Sequence, residues 1–139
     1  MNAALIDQPG QPDDPRPGAA EPSAPVLDPE SIDRLKQLDP GGAAKLVHRV
    51  LSTYQASVLR LCAQIGEALT SGDLSQVRMV AHTLKSSSAS VGALQLSRLC
   101  ATVERMVRES SLEHLPATVE QLQHEAHRVD AAVGRLLAE

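Results

Sequence analysis

The sequence predicts an all-α protein, an antiparallel four-helix bundle with a short extra N-terminal helix. Tyr54 is the only aromatic residue among the 139, so the core must consist of Leu, Val, Ile, Ala and Met, which suits packed helices better than a sheet sandwich. Apolar residues recur every three or four positions through four segments, as in amphipathic helices. Turn signals separate these segments, and the chain length fits one domain.

The first 27 residues differ in composition from the rest of the chain. Six prolines lie there among Gly, Ala, Asp and Gln, and such a segment buries too little apolar surface to offset its conformational entropy. We predict a disordered tail over residues 1–27 and a bundle domain over residues 28–139. Asp28 as N-cap, Pro29 at the first helical position and Glu30 in the first turn predict a short helix ending near Leu38. We expect this helix to pack on one end of the bundle.

The four bundle helices follow the turn at residues 39–42. The first runs from about Ala43 to the turn at residues 70–73, and the second ends at Gly92. The third ends before residues 109–116, and Pro116 is tolerable in the first turn of the last helix. The positions expected to face the core are Val47, Leu51, Tyr54, Val58, Leu61, Ile65 and Leu69; Val77, Val80, Ala81, Leu84, Ser88 and Val91; Leu96, Leu99, Val103 and Met106 or Val107; and Leu115, Val119, Leu122, Ala126, Val129, Val133 and Leu136.

Several classes of protein are disfavoured by composition. Cys62 and Cys100 are far apart and form no CxxC pair, so we expect buried, reduced thiols. The chain shows no signal peptide and no long apolar run, which indicates a cytoplasmic protein without a membrane segment. The net charge of −4 and the lack of aromatic residues argue against nucleic-acid binding. No phosphate-binding loop is visible, so the chain has no evident means of using ATP by itself.

One stretch, AHTLKSSSASVGAL from Ala81 to Leu94, combines a histidine, a lysine and a run of small residues. If the apolar residues of this helix point inward, His82 faces solvent together with Lys85 one turn later, where an ammonium group would attract an anion on the imidazole. Serine is a mediocre helix former, but the low relief of small side chains admits the surface of a partner. The residues that share this outward face are Arg78, His82, Lys85, Ser86 and Ala89.

A second face lies on the following helix. Ser97, Ala101, Glu104 and Arg108 recur at helical spacing, and we expect them beside the His82 face. Between residues 74 and 108 the chain carries five basic residues and a single acidic one, Glu104. This local excess indicates an acidic partner attracted by electrostatic steering, and the alternative is a solvated surface with chance clustering.

The motif HTLKSSSASVGA, His82 to Ala93, resembles the histidine-containing phosphotransfer (HPt) domain family of bacterial and eukaryotic phosphorelays. The resemblance rests on the histidine, the leucine and lysine that follow it, a small residue, and a Gly-Ala turn further on. It implies that His82 accepts a phosphoryl group from the aspartyl phosphate of a receiver domain and passes it to the aspartate of another receiver. Lys85 matches the lysine that neutralises the phosphoryl group.

The resemblance also suggests roles for three neighbouring residues. Gly92 matches the glycine near the end of the active helix, and Glu104 falls where a Gln or acidic residue orients the histidine. Glycine is common in the family at the position of Ser86, and the serine side chain would narrow the range of receivers that dock. Our candidate partner-binding residues are Arg78, Ser86, Ala89, Gly92, Glu104 and Arg108.

The expected partners are receiver domains of a hybrid sensor kinase or of response regulators. We expect the chain to act as a monomer without a cofactor of its own, while Mg²⁺ resides on the receiver. A neutral imidazole is nucleophilic without a dedicated base, and phosphoryl transfer depends mostly on positioning and charge neutralisation. Met1 and the absence of kinase and receiver segments favour a separate protein over a piece of a larger kinase.

Three other readings are open at this point. A metal site could use His124 and His127 with Glu120 or His114, but the aliphatic core stripes provide no inward carboxylates, and we expect no metal. His48 is expected to be an ordinary surface residue. An enzyme with its own turnover would need a nucleophile other than the cysteines expected to be buried. A plain adaptor would bind partners through the His82 face without covalent chemistry, and replacing His82 by glutamine distinguishes it from a phosphotransfer protein.

Overall fold

A computed structural model describes residues 25–42 and 45–139, and every structural statement below concerns these residues. They form five helices, α1 (Pro29–Gln37), α2 (Leu46–Ser71), α3 (Leu74–Ser90), α4 (Leu94–Arg108) and α5 (Leu115–Leu137). Helix α2 packs on α3 and α5, and α4 packs on the same two helices, so that α2 to α5 close an antiparallel four-helix bundle. The predicted fold class is confirmed, and so is the short leading helix. The part of the predicted tail over residues 1–24 lies outside the described residues.

Local signals set the helix ends. The Asp28 carboxylate accepts a hydrogen bond from the Ser31 amide at 3.2 Å and caps α1, and the Asp73 carboxylate accepts one from the Gln76 amide at 3.1 Å and caps α3. At the start of α2 the side chain of Asp39 reaches across the loop and accepts from the Leu46 amide at 3.2 Å. Gly72, with a φ of 78°, ends α2 in the left-handed conformation that glycine adopts without strain.

The core is aliphatic, and the predicted stripes form most of it. All five predicted inward positions of α3 are buried, as is Val91 directly after it, and those of α5 are buried except the half-buried Leu136. Two predicted stripes need correction, because the contacts with two neighbouring helices, and not the spacing along one seam, decide which positions are completely covered. In α2, Val47, Leu61 and Leu69 are half-buried, and Ala68, which was not among the predicted positions, is buried. In α4, Leu99, Met106 and Val107 are half-buried.

Both cysteines are free and buried, as predicted, and burial raises the pKa of the thiols of Cys62 and Cys100 to about 11 and about 12. A polar pair also lies inside the core. The hydroxyl groups of Tyr54 on α2 and Ser88 on α3 are 2.8 Å apart and satisfy each other where no water reaches them. The thiols of Cys62 and Cys100, whose pKa is raised, are poor nucleophiles at neutral pH, which agrees with a structural role for both cysteines.

The segment before α1 packs on the bundle end formed by the α3–α4 turn. The Asp28 amide donates to the Gly92 carbonyl at 2.8 Å, and Gly92 has a φ of 83°. A Cβ at Gly92 would lie 2.8 Å from the Cβ of Ser31, so this glycine allows the close approach. Leu27 is buried and Val26 packs against the core, so the tail boundary predicted after residue 27 is too late.

None of the helices in the part of the chain that the structure describes combines the length and the hydropathy needed to cross a lipid bilayer.

Candidate functional site

His82 lies near the middle of α3 and points away from the core. Its side chain is 61% exposed, because the inward positions of this helix are filled by Val77, Ala81 and Leu84. The prediction that His82 faces solvent is confirmed. Arg78, Ser86 and Ala89, which we assigned to the same face, are also exposed.

Glu104 on α4 joins the histidine and the lysine. One carboxylate oxygen, Oε2, lies 2.7 Å from Nδ1 of His82, and the other, Oε1, accepts a hydrogen bond from Nζ of Lys85 at 2.7 Å. The Glu104 side chain is only 10% exposed, since α3 covers it. The α4 face that contains Glu104 therefore lies beside the His82 face, as predicted. His82, Lys85 and Glu104 form one hydrogen-bonded group.

The charge on Glu104 determines which nitrogen of His82 carries the proton. The hydrogen bond from Lys85, opposed by burial and assisted by His82, lowers the pKa of the Glu104 carboxyl, so the group is ionised at neutral pH. An ionised carboxylate only accepts hydrogen bonds, and the 2.7 Å contact therefore requires a proton on Nδ1. In the neutral imidazole the lone pair then lies on Nε2, at the edge of the ring away from Glu104.

Lys85 differs from the free cation that the sequence suggested. Its side chain is 32% exposed and its ammonium group is already paired with Glu104. The spacing of one turn from His82 predicted the proximity, but the shared carboxylate depends on the packing of α4. Lys85 is thus held at the edge of the site by Glu104 before any anion arrives.

Two of the candidate partner-binding residues are not on the surface. Gly92 is buried beneath residues Asp28 and Ser31, so the structure assigns it to the packing of α1 and corrects our placement on a partner surface. Glu104 is buried against α3 and bonded to His82 and Lys85, which makes it part of the site rather than of an exposed rim. Arg108 is exposed one turn beyond Glu104 on α4.

Met79 lies beside the site and is not among the residues predicted from the sequence. This side chain is 57% exposed and precedes His82 by three residues, which puts both on one face of α3. Large exposed apolar groups beside a charged site are common at protein interfaces. The signal was present in the sequence as an apolar residue at an outward position of the helix.

The other histidines form no comparable group with residues that the structure describes. His127 Nδ1 lies 2.9 Å from the Gln123 carbonyl oxygen on its own helix, and His48 Nδ1 lies 3.5 Å from the Ser52 hydroxyl. His48 is exposed, as predicted. Over residues 25–42 and 45–139, no three His, Cys, Asp or Glu side chains are grouped as in a metal site.

Comparison with known proteins identifies the family. The sequence pattern of the Hpt domain matches residues 49–132, which include His82, Lys85 and Glu104. The chain therefore belongs to the Hpt domain family. The histidine-containing phosphotransfer protein 2 of Arabidopsis thaliana is 31% identical over 96 residues, and this match covers 67% of the present chain and 62% of the Arabidopsis protein. The chain thus matches less than two thirds of that relative.

Solved structures of phosphotransfer domains have the same fold. Histidine-containing phosphotransfer protein B of Pseudomonas aeruginosa PAO1 superposes with a TM-score of 0.74 at 26% identity, covering 84% of this chain and 97% of that one. The HPT domain of a Shewanella sensor hybrid histidine kinase gives a TM-score of 0.67 at 22% identity, covering 81% of this chain and 94% of that domain. The second likeness concerns the fold alone.

Proposed function

We propose that this chain is a phosphotransfer protein of a multistep phosphorelay, which carries a phosphoryl group on Nε2 of His82 between the aspartates of receiver domains. The observation that carries the proposal is the 2.7 Å contact between Nδ1 of His82 and Oε2 of Glu104. This contact places the proton on one nitrogen and leaves the other as a nucleophile on an exposed side chain. Membership of the Hpt domain family supports the same role.

The transfer step needs no further base on this chain. The lone pair of Nε2 attacks the phosphorus of an aspartyl phosphate, the N–P bond forms, and the P–O bond to the aspartate breaks with its electron pair left on the carboxylate. The imidazole ring gains a positive charge, and the adjacent Glu104 carboxylate offsets it. Transfer to a second receiver is the reverse sequence with another aspartate as acceptor.

Charge neutralisation of the phosphoryl group is the proposed role of Lys85. Its ammonium group is bonded to Glu104 beside the histidine, and a short rotation of its side chain would bring it towards an anion on the ring. The receiver would provide Mg²⁺, since phosphoryl transfer depends mainly on positioning and on opposing the negative charge. No cofactor of this chain enters the step.

The partners we propose are receiver domains of a hybrid sensor kinase or of response regulators. Membership of the Hpt domain family and the likeness to a histidine-containing phosphotransfer protein of Arabidopsis thaliana support this assignment. The exposed Arg78 and Arg108 would favour an acidic docking surface. We also propose a cytoplasmic monomer, which the two free thiols and the scattered positions of the exposed apolar side chains support.

The test is transfer from a panel of phosphorylated receiver domains to the wild type, to His82→Gln and to His48→Gln. His48 is the matched control, an exposed histidine on α2 that has no bonded carboxylate among the described residues. We expect acid-labile, base-stable phosphate on the wild type and on His48→Gln, and none on His82→Gln with an unchanged circular dichroism spectrum. Phosphate on His82→Gln would reject the proposal.

A second candidate is a non-covalent adaptor, which the exposed Met79 beside a face of small residues favours. An adaptor would bind receivers as tightly with His82→Gln as without the substitution, and no receiver of the panel would phosphorylate the wild type. Receivers that bind the wild type but transfer no phosphate to it would therefore support the adaptor.

A further inference from the structure

We propose that an acidic segment of this chain, residues 1–24, binds the basic face beside His82 and competes there with receiver domains. This basic face comprises Arg78 on α3 and Arg105 and Arg108 on α4. The occupant is a segment of the chain itself, and a receiver would have to displace it before reaching His82. The nature of the competitor rests on the proposed function, whereas the contact between the segment and the face does not.

The formal charge of the chain is divided unevenly along its length. Residues 1–24 contain four acidic residues and one basic residue, so they hold −3 of the total of −4. The acidic residues of this segment are Asp7, Asp13, Asp14 and Glu21, and the basic one is Arg16. Over residues 74–108 the balance is reversed, with five basic residues and a single acidic one. Opposite charges therefore occur on two parts of one molecule.

The basic face is not neutralised by a carboxylate within the part of the chain that the structure describes. Arg78, Arg105 and Arg108 are exposed, and none of them pairs with a described Asp or Glu side chain. Glu104 lies between α3 and α4, but its side chain is only 10% exposed and both of its oxygens are bonded within the site. Three cations on adjacent helices therefore attract an anionic occupant.

The start of the described chain lies close enough to the basic face for the acidic segment to reach it. The Asp28 amide donates to the Gly92 carbonyl at 2.8 Å, which holds the chain at the turn between α3 and α4. His82 precedes Gly92 by ten residues, or about 15 Å along α3. Eleven residues separate Asp14 from Pro25, and that length of chain spans up to about 36–40 Å. The acidic side chains can therefore reach the basic face while α1 stays packed on the bundle.

Attachment to the same chain makes a weak contact effective. A segment joined to its target by a short stretch of chain is present there at an effective concentration on the order of millimolar. A contact with a dissociation constant of about 1 mM would then occupy the basic face about half of the time. A receiver with higher affinity would still displace the segment, so the segment lowers the rate of receiver association without blocking the relay.

The first measurement uses the full chain with a nitroxide spin label attached to Gln11→Cys, close to Asp13 and Asp14. Cys62 and Cys100 are buried, so the label reacts with the introduced thiol. At low ionic strength, we expect stronger broadening of the amide NMR signals of the basic face than of those on the exposed sides of α2 and α5. This difference should disappear at about 1 M salt, where the Debye length is about 3 Å.

The matched control neutralises the acidic segment. Asp13→Asn, Asp14→Asn and Glu21→Gln leave residues 1–24 without net formal charge. We expect the broadening of the basic face to fall to the level of α2 and α5 in this triple variant. Equal broadening of the basic face with and without the three substitutions would overturn the inference. Broadening between spin-labelled and separately isotope-labelled molecules would assign the contact to a second copy of the chain and would also overturn it.

The second measurement is the association rate of a receiver domain, followed by stopped flow at low ionic strength. We expect the same triple variant, without the spin label, to associate about twofold faster than the wild type, and the difference to disappear at high salt. Glu67→Gln, Glu120→Gln and Glu139→Gln together remove three exposed carboxylates elsewhere and are the control for net charge. An equal increase in both triple variants would show general repulsion of an acidic receiver and reject the competition.

These outcomes are separable from the proposed relay function. Failure of every receiver to label the wild type, combined with broadening that depends on the acidic side chains, would reject the relay while leaving the contact intact. Transfer from receivers, combined with broadening that does not distinguish the basic face from α2 and α5, would leave the relay and reject the contact.

Discussion

The hydroxyl of Ser97 on α4 donates a hydrogen bond to the backbone carbonyl of Lys85 on α3 at 3.0 Å. This bond and the packing of the two helices hold them in one register. Glu104 follows Ser97 by about two helical turns on the same face, which brings its carboxylate opposite both His82 and Lys85. The site therefore depends on the α3–α4 contact as much as on the histidine motif itself.

Replacing Lys85 by alanine should slow phosphoryl transfer without unfolding the bundle. The ammonium group would no longer oppose the phosphoryl charge, and we expect a loss on the order of tenfold in the transfer rate, which corresponds to about 1.4 kcal/mol in the transition state. Rapid-quench transfer from a phosphorylated receiver measures the rate, and Lys36→Ala, an exposed lysine on α1, is the control. An unchanged rate would reject the role of Lys85.

Met79 should act as an apolar contact for the receiver. Its side chain is 57% exposed one turn before His82, so Met79→Glu would place a carboxylate in the docking surface. We expect receiver binding to weaken by about 1–2 kcal/mol with this change and to be nearly preserved in Met79→Leu. Titration calorimetry with a phosphorylation-inactive receiver would measure both affinities. Equal affinities for Met79→Glu and the wild type would place the docking surface elsewhere.

Association with the receiver should weaken as ionic strength rises. Arg78 and Arg108 are exposed on the two helices that carry the site, and salt screens attraction between such charges and an acidic partner. We expect Arg78→Gln and Arg108→Gln to reduce the salt dependence of the association rate, and Arg60→Gln on α2 to leave it unchanged. Stopped-flow rates that do not respond to salt in the wild type would show that steering is minor.

Glu104 should stabilise the fold more at neutral pH than in acid. Its contacts with Lys85 and His82 lower the carboxyl pKa of the folded protein below the ordinary 4.5. The unfolded chain therefore binds this proton more readily than the folded one, so the stabilisation is present above pH 4.5 and is lost as the pH falls through the folded-state pKa. We expect Glu104→Gln to lower the free energy of unfolding by roughly 1 kcal/mol near neutral pH and by less in acid. Urea denaturation from acid to neutral pH measures the free energy of unfolding of the wild type and of Glu104→Gln. If the difference between the two proteins did not change with pH, the lowered pKa of Glu104 would be contradicted.

Gly92 should be required for the docking of α1. Alanine at this position would be strained at a φ of 83° and would place its Cβ 2.8 Å from that of Ser31. We expect a loss of about 1–3 kcal/mol in the free energy of unfolding. Gly72→Ala is the matched control, because Gly72 has a φ of 78° with no atom near the added Cβ. Equal losses in the two variants would show that the contact with Ser31 costs nothing.

The fold and the orientation of His82 could be predicted from the sequence. The caps at Asp28 and Asp73 and the glycine at position 72 mark helix ends through interactions between near neighbours in the chain. The outward direction of His82 follows from the helical period once its apolar neighbours are assigned to the core. Such features depend on local geometry, which the sequence specifies directly.

The remaining features depend on how separate helices meet. The shared carboxylate of Glu104 requires the register of α4 against α3, which no local pattern contains. The resemblance that put Gly92 among the partner-binding residues carries no sign of its long-range contacts with Asp28 and Ser31. The half-burial of Leu99, which was expected to face the core, likewise depends on how α4 is rotated against its neighbours.

The most direct test of the central claim is to locate the phosphoryl group after transfer from a phosphorylated receiver. Long-range proton–nitrogen correlation spectra distinguish the two ring nitrogens of a histidine and show which one bears phosphorus. The structure predicts a phosphoryl group on Nε2 of His82 and a proton on Nδ1, directed at Glu104. A phosphoryl group on Nδ1, or on any other residue, would contradict the account.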